Sequence, residues 1–398
     1  MSADAPLLYL IAGEPSGDAL GGRLMAALKE RTGEAIRFAG IGGERMAEQG
    51  LESLVPLHEL AVMGVAEVLP RARLILRRVR ETVADIRRRK PQAVVTIDSS
   101  GFTWRVAQRL REAGERDLLL IHYVAPMVWA WRGGRARRMA RWYDHLMVLL
   151  PFEPPYFTAV GLACSYVGHP VIEGGADHGD GAAFRRRHGI SPEAPVLTVL
   201  PGSRRGEVGR LLVPFGGAVA ELAVRHPGLR VVVPTTETVA AIVGAAVRGW
   251  AAPTIVVSGE REKYDAFAAS NAALAASGTV ALELALAGVP AVVAYRLNPL
   301  THALLRRIVR VRHVHLLNLI LKREAVPELI QKDCTPARLA DAIGELLADE
   351  KKRRAQIEAC REALRALGLG ELNPSRRAAD LVLSLIAERQ RGSAASAA

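Results

Sequence analysis

An acidic residue closes one of the apolar, strand-like runs of the chain. Ala93–Ile97 is such a run, and Asp98 follows it directly. Ligands of open α/β sheets bind outside the carboxyl ends of the strands, so a carboxylate at this position could act as a general base. Asp98 could equally cap the helix that we predict to begin at Thr103. The residue pattern alone leaves both interpretations open.

Two more carboxylates follow the first strand-like run, Leu7–Ala12. Glu14 and Asp18 flank Ser16 in a loop of small residues ahead of a predicted helix. Because the carboxyl ends of parallel strands meet at one edge of a sheet, we expect these side chains to share a wall with Asp98.

A third strand-like run, Val196–Leu200, stops at a loop that contains Gly202, Ser203 and Arg204. A helix beginning near Glu207 would point its positive end back at this loop, which favours an anion there. The planar guanidinium of Arg204 could hold a diphosphate. An ordinary surface arginine is the alternative.

The run Ala272–Ala276 ends in a similar turn, Ser277-Gly278-Thr279. Ser277, Thr279 and the free N–H groups of a helix start suit a phosphate, and Glu283 could accept hydrogen bonds from ribose hydroxyls. A capping interaction between Thr279 and Glu283 is the alternative, although their spacing is one residue longer than the ideal.

These loops match neither the G-x-G-x-x-G pattern of dinucleotide-binding folds nor the P-loop pattern. The chain contains no D-x-D pair, and its three cysteines match no zinc spacing. We therefore predict no metal site, and a departing diphosphate would be neutralised by arginine and by helix ends.

Strands and helices alternate through both halves of the chain, which predicts parallel sheets built from βαβ units. With 398 residues, two domains are expected. The Gly-, Pro- and charge-rich stretch from residue 171 to Pro195 is typical of a hinge. We predict an α/β fold of two Rossmann-like, doubly wound domains facing a cleft. The predicted strands are Leu7–Ala12, Ile36–Gly40, Ala93–Asp98, Leu118–Val124, Val196–Leu200, Arg230–Pro234, Thr254–Ser258, Ala272–Ala276 and Ala291–Tyr295.

The chain carries 53 Lys and Arg against 41 Asp and Glu, a net charge of +12, which indicates an anionic partner. Many of the arginines lie on a predicted helix over Arg71–Arg89, after an apolar patch at Leu60–Leu69. A basic amphipathic helix of this kind can lie on an anionic membrane surface. It can also be a core helix with a solvated charged face.

A second basic cluster, at residues 128–138, interleaves Trp129 and Trp131 with arginines. Nucleic acid and a lipid interface are both compatible with this pattern. No nucleic-acid-binding signature accompanies it. The sequence shows no apolar span of membrane length and no secretory leader, so we expect a cytoplasmic protein. We expect the Ala- and Ser-rich tail after Leu383 to be disordered.

From about Leu7 to about Leu383, an ordered set of motifs closely resembles the lipid-A-disaccharide synthases. One departure is that Asp98 is followed by Ser99-Ser100, where family members often have Ala-Pro. The motifs are Gly13-Glu14-Pro15-Ser16-Gly17-Asp18, Ala61-Val62-Met63-Gly64, His122-Tyr123-Val124-Ala125-Pro126-Met127-Val128-Trp129-Ala130-Trp131, Leu150-Pro151-Phe152-Glu153, Pro201-Gly202-Ser203-Arg204 and Ser277-Gly278-Thr279.

The resemblance implies an inverting, metal-independent glycosyltransferase of GT-B architecture that needs no cofactor. It implies condensation of UDP-2,3-diacylglucosamine with 2,3-diacylglucosamine 1-phosphate to a β-1,6-linked disaccharide and UDP. It further implies a peripheral position on the cytoplasmic face of a Gram-negative inner membrane, no nucleic-acid partner, and a possible homodimer. In this frame residues 1–170 form the acceptor and membrane-facing domain, with the C-terminal helix 370–390 packed back on it, and residues 171–369 bind the UDP-sugar.

The resemblance also assigns residues. Asp98 is the expected base for the acceptor 6-hydroxyl, with Glu14 nearby and His122 as the rival base. The expected UDP and donor residues are Ser203, Arg204, Ser277, Gly278, Thr279, Glu283, Tyr295, Asn318 and Gln331. The expected acceptor and membrane-facing residues are Ser16, Asp18, Val62, Met63, Val65, Val68, Leu69, Arg77, Arg78, Arg80, Trp129 and Trp131.

Two other functions remain open from the sequence. A non-hydrolysing UDP-N-acetylglucosamine 2-epimerase would share the two-domain fold and the UDP site, but it would not need the apolar patch. A non-enzymatic basic protein that binds nucleic acid or a membrane surface would leave the two strand-loop-helix sites without a purpose.

Overall fold

A computed structural model describes residues 5–60, 65–129, 134–298 and 313–397. Side chains are described for the same ranges except 65–71 and 393–397. The chain divides into two compact units. Unit 1 comprises Met1–Pro170 with Glu371–Ala398, and unit 2 comprises Val171–Gly370.

Unit 1 contains a parallel six-stranded sheet of order β2-β1-β3-β4-β5-β6. Its strands are β1 (Leu7–Ala12), β2 (Arg37–Ile41), β3 (Ala93–Ile97), β4 (Leu119–Tyr123), β5 (His145–Val148) and β6 (Ala163–Tyr166). Its described helices are α1 (Pro15–Thr32), α2 (Glu44–Ala47), α3 (Val65–Arg89), α4 (Thr103–Glu112), α5 (Gly134–Met139), α6 (Pro154–Thr158) and, at the end of the chain, α15 (Pro374–Ala397).

The two faces of this sheet bury separate apolar clusters. Leu8 and Leu10 of β1 face one way, where they pack with residues of α1 and α15. Tyr9 and Ile11 face the other way, toward α3 and α4. Covering both faces of a parallel sheet explains why its central strands are mostly apolar in sequence, with Thr96 and His122 as the buried polar exceptions in β3 and β4.

The last helix runs farther than the sequence predicts. The tail after Leu383 is not a disordered segment, because α15 continues to Ala397. Alanine and arginine favour helix, and the Arg389 guanidinium donates hydrogen bonds to the backbone carbonyls of Arg116 and Asp117 at 2.8 and 3.2 Å. These contacts anchor the helix on its own unit.

Helix α3 also begins earlier than predicted, at Val65 and not at Arg71. Pro70 lies within it, although a proline has no N–H to donate to the preceding turn. Val68 and Leu69 therefore belong to a helix, as does Val65, although their side chains are outside the description. Val62, Met63 and Trp131 lie outside the described residues.

Unit 2 contains a second parallel six-stranded sheet, of order β12-β11-β10-β7-β8-β9. Its strands are β7 (Val196–Leu200), β8 (Arg230–Thr235), β9 (Thr254–Ser258), β10 (Ala272–Ala276), β11 (Ala291–Tyr295) and β12 (Glu328–Ile330). Its described helices are α7 (Gly181–Arg187), α8 (Arg205–Arg225), α9 (Glu237–Val247), α10 (Glu260–Ala269), α11 (Val280–Leu286), α12 (Leu316–Leu321), α13 (Pro336–Ala348) and α14 (Glu350–Ala366).

The main core of unit 2 lies between its sheet and the helices α8, α9 and α13. Phe215 of α8 is fully buried there, with Leu339 of α13. Edge strand β12 has only three residues. A run so short carries no period by which a sequence pattern can be recognised.

Candidate active site

A cavity of about 790 Å³ opens at the carboxyl edge of the unit 2 sheet. Strands β7, β8, β9 and β10 end on it, and the loops that follow them form its walls. The lining residues are Leu200, Gly202, Ser203, Arg204, Glu207, Pro234, Thr235, Thr236, Glu237, Ser258, Gly259, Glu260, Lys263, Ala276, Ser277, Gly278, Thr279, Val280 and Glu283. This set brings together six of the sequence-predicted donor residues.

Glu207 shapes the loop that presents Ser203 and Arg204 to the cavity. Arg204 is the N-cap of α8, so Glu207 occupies the third helical position, from which a carboxylate reaches back to the free N–H groups. Burial raises the pKa of the Glu207 carboxyl, and the backbone N–H groups of Ser203 and Arg204 partly offset this. Gly202 has φ +111°, and a Cβ there would collide with the Glu207 carboxylate. The loop is therefore fixed while Ser203 and Arg204 stay exposed.

Across the cavity, the Ser277-Gly278-Thr279 turn leads into α11. Thr279 is the N-cap, but its side chain makes no capping hydrogen bond. The Glu283 carboxylate lies 2.8 Å from the Lys263 ammonium. The structure therefore does not contain the alternative, a capping interaction between Thr279 and Glu283. The turn presents the hydroxyls of Ser277 and Thr279 to the cavity. The Lys263–Glu283 ion pair adds one cation and one carboxylate.

Sequence reasoning missed the β8 and β9 side of this cavity. Thr235 and Ser258 are the last residues of β8 and β9, and Thr236 and Gly259 follow them. The rule that led to Asp98 and Arg204, that ligands bind at the carboxyl ends of strands, also applies to these positions. Lys263 lies one turn into α10 and not at the end of a strand, so this rule does not indicate it.

Three predicted donor residues do not line this cavity. Asn318 is fully buried. Its amide donates to the Val326 carbonyl and to Glu328, both at 2.7 Å, and accepts from the backbone N–H groups of Ala325 and Val326. Among the described residues, the hydrogen bonds of Asn318 all serve the turn before β12 and Asn318 does not line this cavity, so its predicted contact with the donor stays a prediction.

The Gln331 side chain likewise makes a hydrogen bond within unit 2. The side-chain amide oxygen of Gln331 accepts from the Leu297 N–H at 3.1 Å, so it orders the segment after β11. Tyr295 is the last residue of β11 and is partly buried.

In unit 1, Asp98 lies in an unusual backbone turn after β3. Asp98 and Ser99 have φ values of +49° and +44°. This left-handed region is costly for residues other than glycine, and such strain concentrates at functional sites. The Thr103 hydroxyl lies within hydrogen-bonding distance of the backbone carbonyls of Asp98 and Ser99, at 2.9 and 3.0 Å, and helps to hold the turn.

The Asp98 carboxylate does not cap α4, because the N-cap is Phe102 and no side chain caps it. Burial raises the pKa of the Asp98 carboxyl, and the Ser99 backbone N–H partly offsets this. A half-buried carboxylate with a raised pKa is suited to accepting a proton.

The other acidic candidates have different surroundings. Asp18 is buried, and its carboxylate accepts from the backbone N–H groups of Gly43, Arg45 and Met46 at 2.7, 3.0 and 3.1 Å. It holds the start of α2, which corrects the prediction that Asp18 faces the acceptor. Glu14 is the N-cap residue of α1 and is partly exposed, and Ser16 is exposed.

The rival base, His122, is embedded in the core. It is 1% exposed, and its Nδ1 lies 2.7 Å from the Thr96 hydroxyl. Its ring packs on Tyr143 with centroids 4.9 Å apart. Burial lowers the pKa of His122 to about 3. This burial corrects the choice of His122 as an alternative base, because a substrate hydroxyl has no access to its ring.

Trp129 is fixed by Glu153, the last residue of the Leu150-Pro151-Phe152-Glu153 motif, to which the sequence assigned no role. The Glu153 carboxylate, 3% exposed, accepts from the Trp129 indole N–H at 3.2 Å and from the Leu150 N–H at 3.1 Å. The Trp129 ring meets Phe152 edge-on at 5.3 Å. Glu153 thereby joins the loop after β4 to the loop after β5, near the edge where Asp98 lies.

Glu153 gives the first testable prediction. Burial raises the pKa of its carboxyl from the ordinary 4.5 to about 7. The folded state therefore holds this proton more tightly than the unfolded state, and stability falls as the pH rises from about 4.5 through 7, by up to about 3 kcal/mol. Glu153→Gln is neutral throughout and lacks this fall. Urea unfolding at about pH 5 and about pH 8 measures the difference.

Exposed Glu44 supplies the matched control, and Glu44→Gln should show the wild-type pH dependence. An equal pH dependence of wild type and Glu153→Gln would contradict the assignment.

The basic face of α3 is smaller than predicted. Arg78 is largely buried and lies 2.7 Å from both Glu59 and Glu81. Its charge is used inside unit 1, which corrects the prediction that Arg78 faces a membrane. Arg77 and Arg80 are exposed, although Arg77 also pairs with Glu81 at 2.7 Å.

Within the described ranges, no helix has the length and apolar character needed to cross a membrane. The same residues contain no group of three or more His, Cys, Asp or Glu side chains placed to hold a metal ion.

The family model described as lipid-A-disaccharide synthetase matches residues 8–382. The chain belongs to the lipid-A-disaccharide synthase family. It is 60% identical over 383 residues to the lipid-A-disaccharide synthase of Rhodospirillum centenum, covering 96% of this chain and 95% of that protein. It is 56% identical over 382 residues to that of Paramagnetospirillum magneticum, with 96% and 97% covered.

Solved structures share the fold at low identity. A UDP-GlcNAc 2-epimerase from Neisseria meningitidis bound to UDP-GlcNAc superposes with a TM-score of 0.64 at 11% identity, covering 96% of this chain and 100% of that one. Acinetobacter baumannii MurG gives 0.56 at 14%, with 95% and 99% covered. The predicted GT-B fold of two Rossmann-like domains is thus confirmed, and the likeness to the epimerase is one of fold.

Family membership confirms the predicted activity class. This lipid-A-disaccharide synthase family member is a glycosyltransferase of lipid A disaccharide synthesis. Its substrates are a UDP-sugar and a lipid phosphate.

Proposed function

We propose that this chain condenses UDP-2,3-diacylglucosamine with 2,3-diacylglucosamine 1-phosphate, yielding the β-1,6-linked disaccharide 1-phosphate and UDP. The observation that carries the proposal is the family match over residues 8–382, joined by 60% identity to a lipid-A-disaccharide synthase over nearly the whole chain. Unit 1 serves the acceptor, and unit 2 serves the donor.

The unit 2 cavity is the proposed UDP site. Arg204 is exposed at the start of the 21-residue helix α8, where the helix dipole also favours negative charge. Its guanidinium would take the diphosphate, together with the hydroxyls of Ser277 and Thr279. The Glu283 carboxylate, oriented by Lys263, would accept from the ribose hydroxyls. These groups would stabilise the charge that develops on UDP as it leaves.

Asp98 is the proposed general base. The acceptor 6-hydroxyl gives its proton to the Asp98 carboxylate while its oxygen bonds to the anomeric carbon of the donor. The bond from that carbon to the UDP oxygen breaks, and its electron pair leaves with UDP. Attack from the face opposite UDP inverts the anomeric centre. The raised pKa of the Asp98 carboxyl supports this role.

Purified protein supplied with both acylated substrates tests the function. We expect one disaccharide for each UDP released, and no epimer when UDP-N-acetylglucosamine is supplied alone. Formation of UDP-N-acetylmannosamine without disaccharide would reject the proposal in favour of the epimerase alternative.

We further propose that α3 rests on an anionic membrane surface, as a peripheral contact on the cytoplasmic face of the inner membrane. Arg73, Arg77 and Arg80 are exposed along one stretch of this helix, and Leu76 among them is 47% exposed. Exposed arginines around an exposed leucine suit a surface that carries anionic headgroups over an apolar layer. The homodimer stays a prediction, which sedimentation of the purified chain would test.

Charge reversal tests the membrane contact. Arg77→Glu with Arg80→Glu should weaken sedimentation with phosphatidylglycerol-containing vesicles at low salt, because each basic residue contributes about 1 kcal/mol near such a surface. Arg45→Glu, which changes another exposed arginine of unit 1, should have little effect. Equal vesicle binding by the wild type, the double variant and Arg45→Glu would contradict a membrane contact of α3.

A further inference from the structure

Unit 1 contains a second cavity, of about 650 Å³, between α4 and α5. We call it the arginine cavity. Its lining includes Ser100, Trp104, Arg105, Arg135, Arg138 and Trp142. None of these residues takes part in the functions assigned above.

The charge of the arginine cavity is of one sign. Three arginines line it, and no Asp or Glu of the described ranges does. The UDP cavity of unit 2, in contrast, is lined by four glutamates besides its two cations. Arg105 and Arg138 are exposed, and the Arg105 guanidinium also donates to the Gly101 backbone carbonyl, which fixes it at the cavity. Such a set suits a compact, doubly charged anion, which arginine binds with paired hydrogen bonds.

Two tryptophans give the cavity an apolar wall. Trp104 and Trp142 meet edge-to-face, with centroids 6.1 Å apart, and the Arg135 guanidinium lies 5.6 Å from the centre of the Trp104 ring. Trp104 is only 8% exposed, and within the described structure its indole N–H has no hydrogen-bond partner. Because this nitrogen is itself closed to solvent, the tryptophans contribute ring surface to the cavity and no hydrogen bond. Flat rings beside cations are also a surface on which a sugar ring can lie.

The arginine cavity adjoins the proposed base. Ser100 lies on its rim, two residues after Asp98, and two residues span at most about 7 Å. In the proposed reaction the acceptor carries its phosphate on carbon 1 and its attacking hydroxyl on carbon 6, and carbon 6 is attached to carbon 5, the ring atom on the other side of the ring oxygen from carbon 1. A phosphate in the cavity therefore leaves the hydroxyl within reach of the Asp98 turn.

We propose that the arginine cavity binds the anomeric phosphate monoester of the acceptor and so selects a sugar 1-phosphate. This proposal rests on the proposed function, because it names the acceptor group that the same site holds. It assigns Arg138 and Arg105 a role in specificity and leaves the chemistry with Asp98.

Acceptors with and without the phosphate test the proposal. Arg138→Gln should raise the KM for the phosphorylated acceptor about tenfold or more. The KM for the donor and for a 1-O-methyl acceptor should be unchanged. Arg137→Gln, a neighbouring exposed arginine of α5 that does not line the cavity, should behave as wild type. If Arg138→Gln and Arg105→Gln both keep the wild-type preference for the phosphorylated acceptor, the proposal is overturned.

A binding measurement separates this proposal from the proposed function. Tryptophan fluorescence should respond saturably to glucosamine 1-phosphate, more weakly to inorganic phosphate, and the response should be lost in Arg138→Gln but kept in Arg137→Gln. That result supports the cavity even if no disaccharide forms, in which case only the proposed function fails. Equal affinity for inorganic phosphate, or a response to phosphatidylglycerol vesicles alone, would overturn the assignment to a sugar phosphate.

Discussion

Asp98→Asn lowers kcat by roughly 10²- to 10⁴-fold, the contribution usual for a positioned general base. The amide has nearly the shape of the carboxylate but cannot take the proton of the acceptor hydroxyl. UDP binding to unit 2 should be unchanged, because Asp98 belongs to the other unit. Initial rates and UDP titration on the same preparation measure both quantities.

The pH profile gives the matching control for Asp98. Since burial raises the pKa of this carboxyl, kcat/KM of the wild type should fall on the acid side at a pH above the ordinary range of an aspartate. Asp98→Asn should lack this fall. A variant with the wild-type rate, or with an unchanged acid limb, would show that another group takes the proton.

Arg204→Ala is expected to weaken donor binding about 10- to 100-fold and to lower kcat as well. Charge-assisted hydrogen bonds contribute about 1.5–3 kcal/mol, and the diphosphate gains charge as it departs. Calorimetric titration with UDP and steady-state rates at several donor concentrations measure the two effects.

Arg205→Ala is the control, because Arg205 is also exposed, begins the same helix and does not line the UDP cavity. Wild-type UDP affinity in Arg204→Ala, or an equal loss in Arg205→Ala, would contradict a specific role for Arg204.

Much of the sheet architecture could be predicted from the sequence because central parallel strands are buried on both faces. Ala272–Ala276 and Ala291–Tyr295 are continuous apolar runs, Val196–Leu200 is apolar except for Thr198, and each is a strand with those bounds. Strand β12 lies at an edge, is not fully buried and has three residues. Its place is set by pairing with β11, which a local pattern does not reveal.

The candidate site residues also fall into those that the sequence could predict and those that it could not. Asp98, Arg204 and Ser277 follow strands, so the position of ligands in parallel sheets was enough to find them. The sequence predicts ligand contacts for Asn318 and Arg78 because it does not show which polar side chains form hydrogen bonds or ion pairs with each other. Arg78 meets Glu59, 19 residues away.

The arginine cavity needed the structure as well. Its arginines come from two helices, α4 and α5, and its rim comes from the turn after β3. Arg135 and Arg138 were visible in the sequence only as part of a basic cluster with tryptophans. Trp104 gave no signal, because its place in the cavity wall depends on the packing of α4 against Trp142.

The central claim is a single displacement in which Asp98 takes the proton and UDP leaves from the opposite face. The most direct test is the configuration at the new linkage, read by NMR on the disaccharide that the wild type makes from the two acylated substrates. We predict a β linkage at the 6-oxygen with one UDP released for each disaccharide. An α linkage, which would retain the configuration of the donor, would contradict the displacement and the role of Asp98 in it.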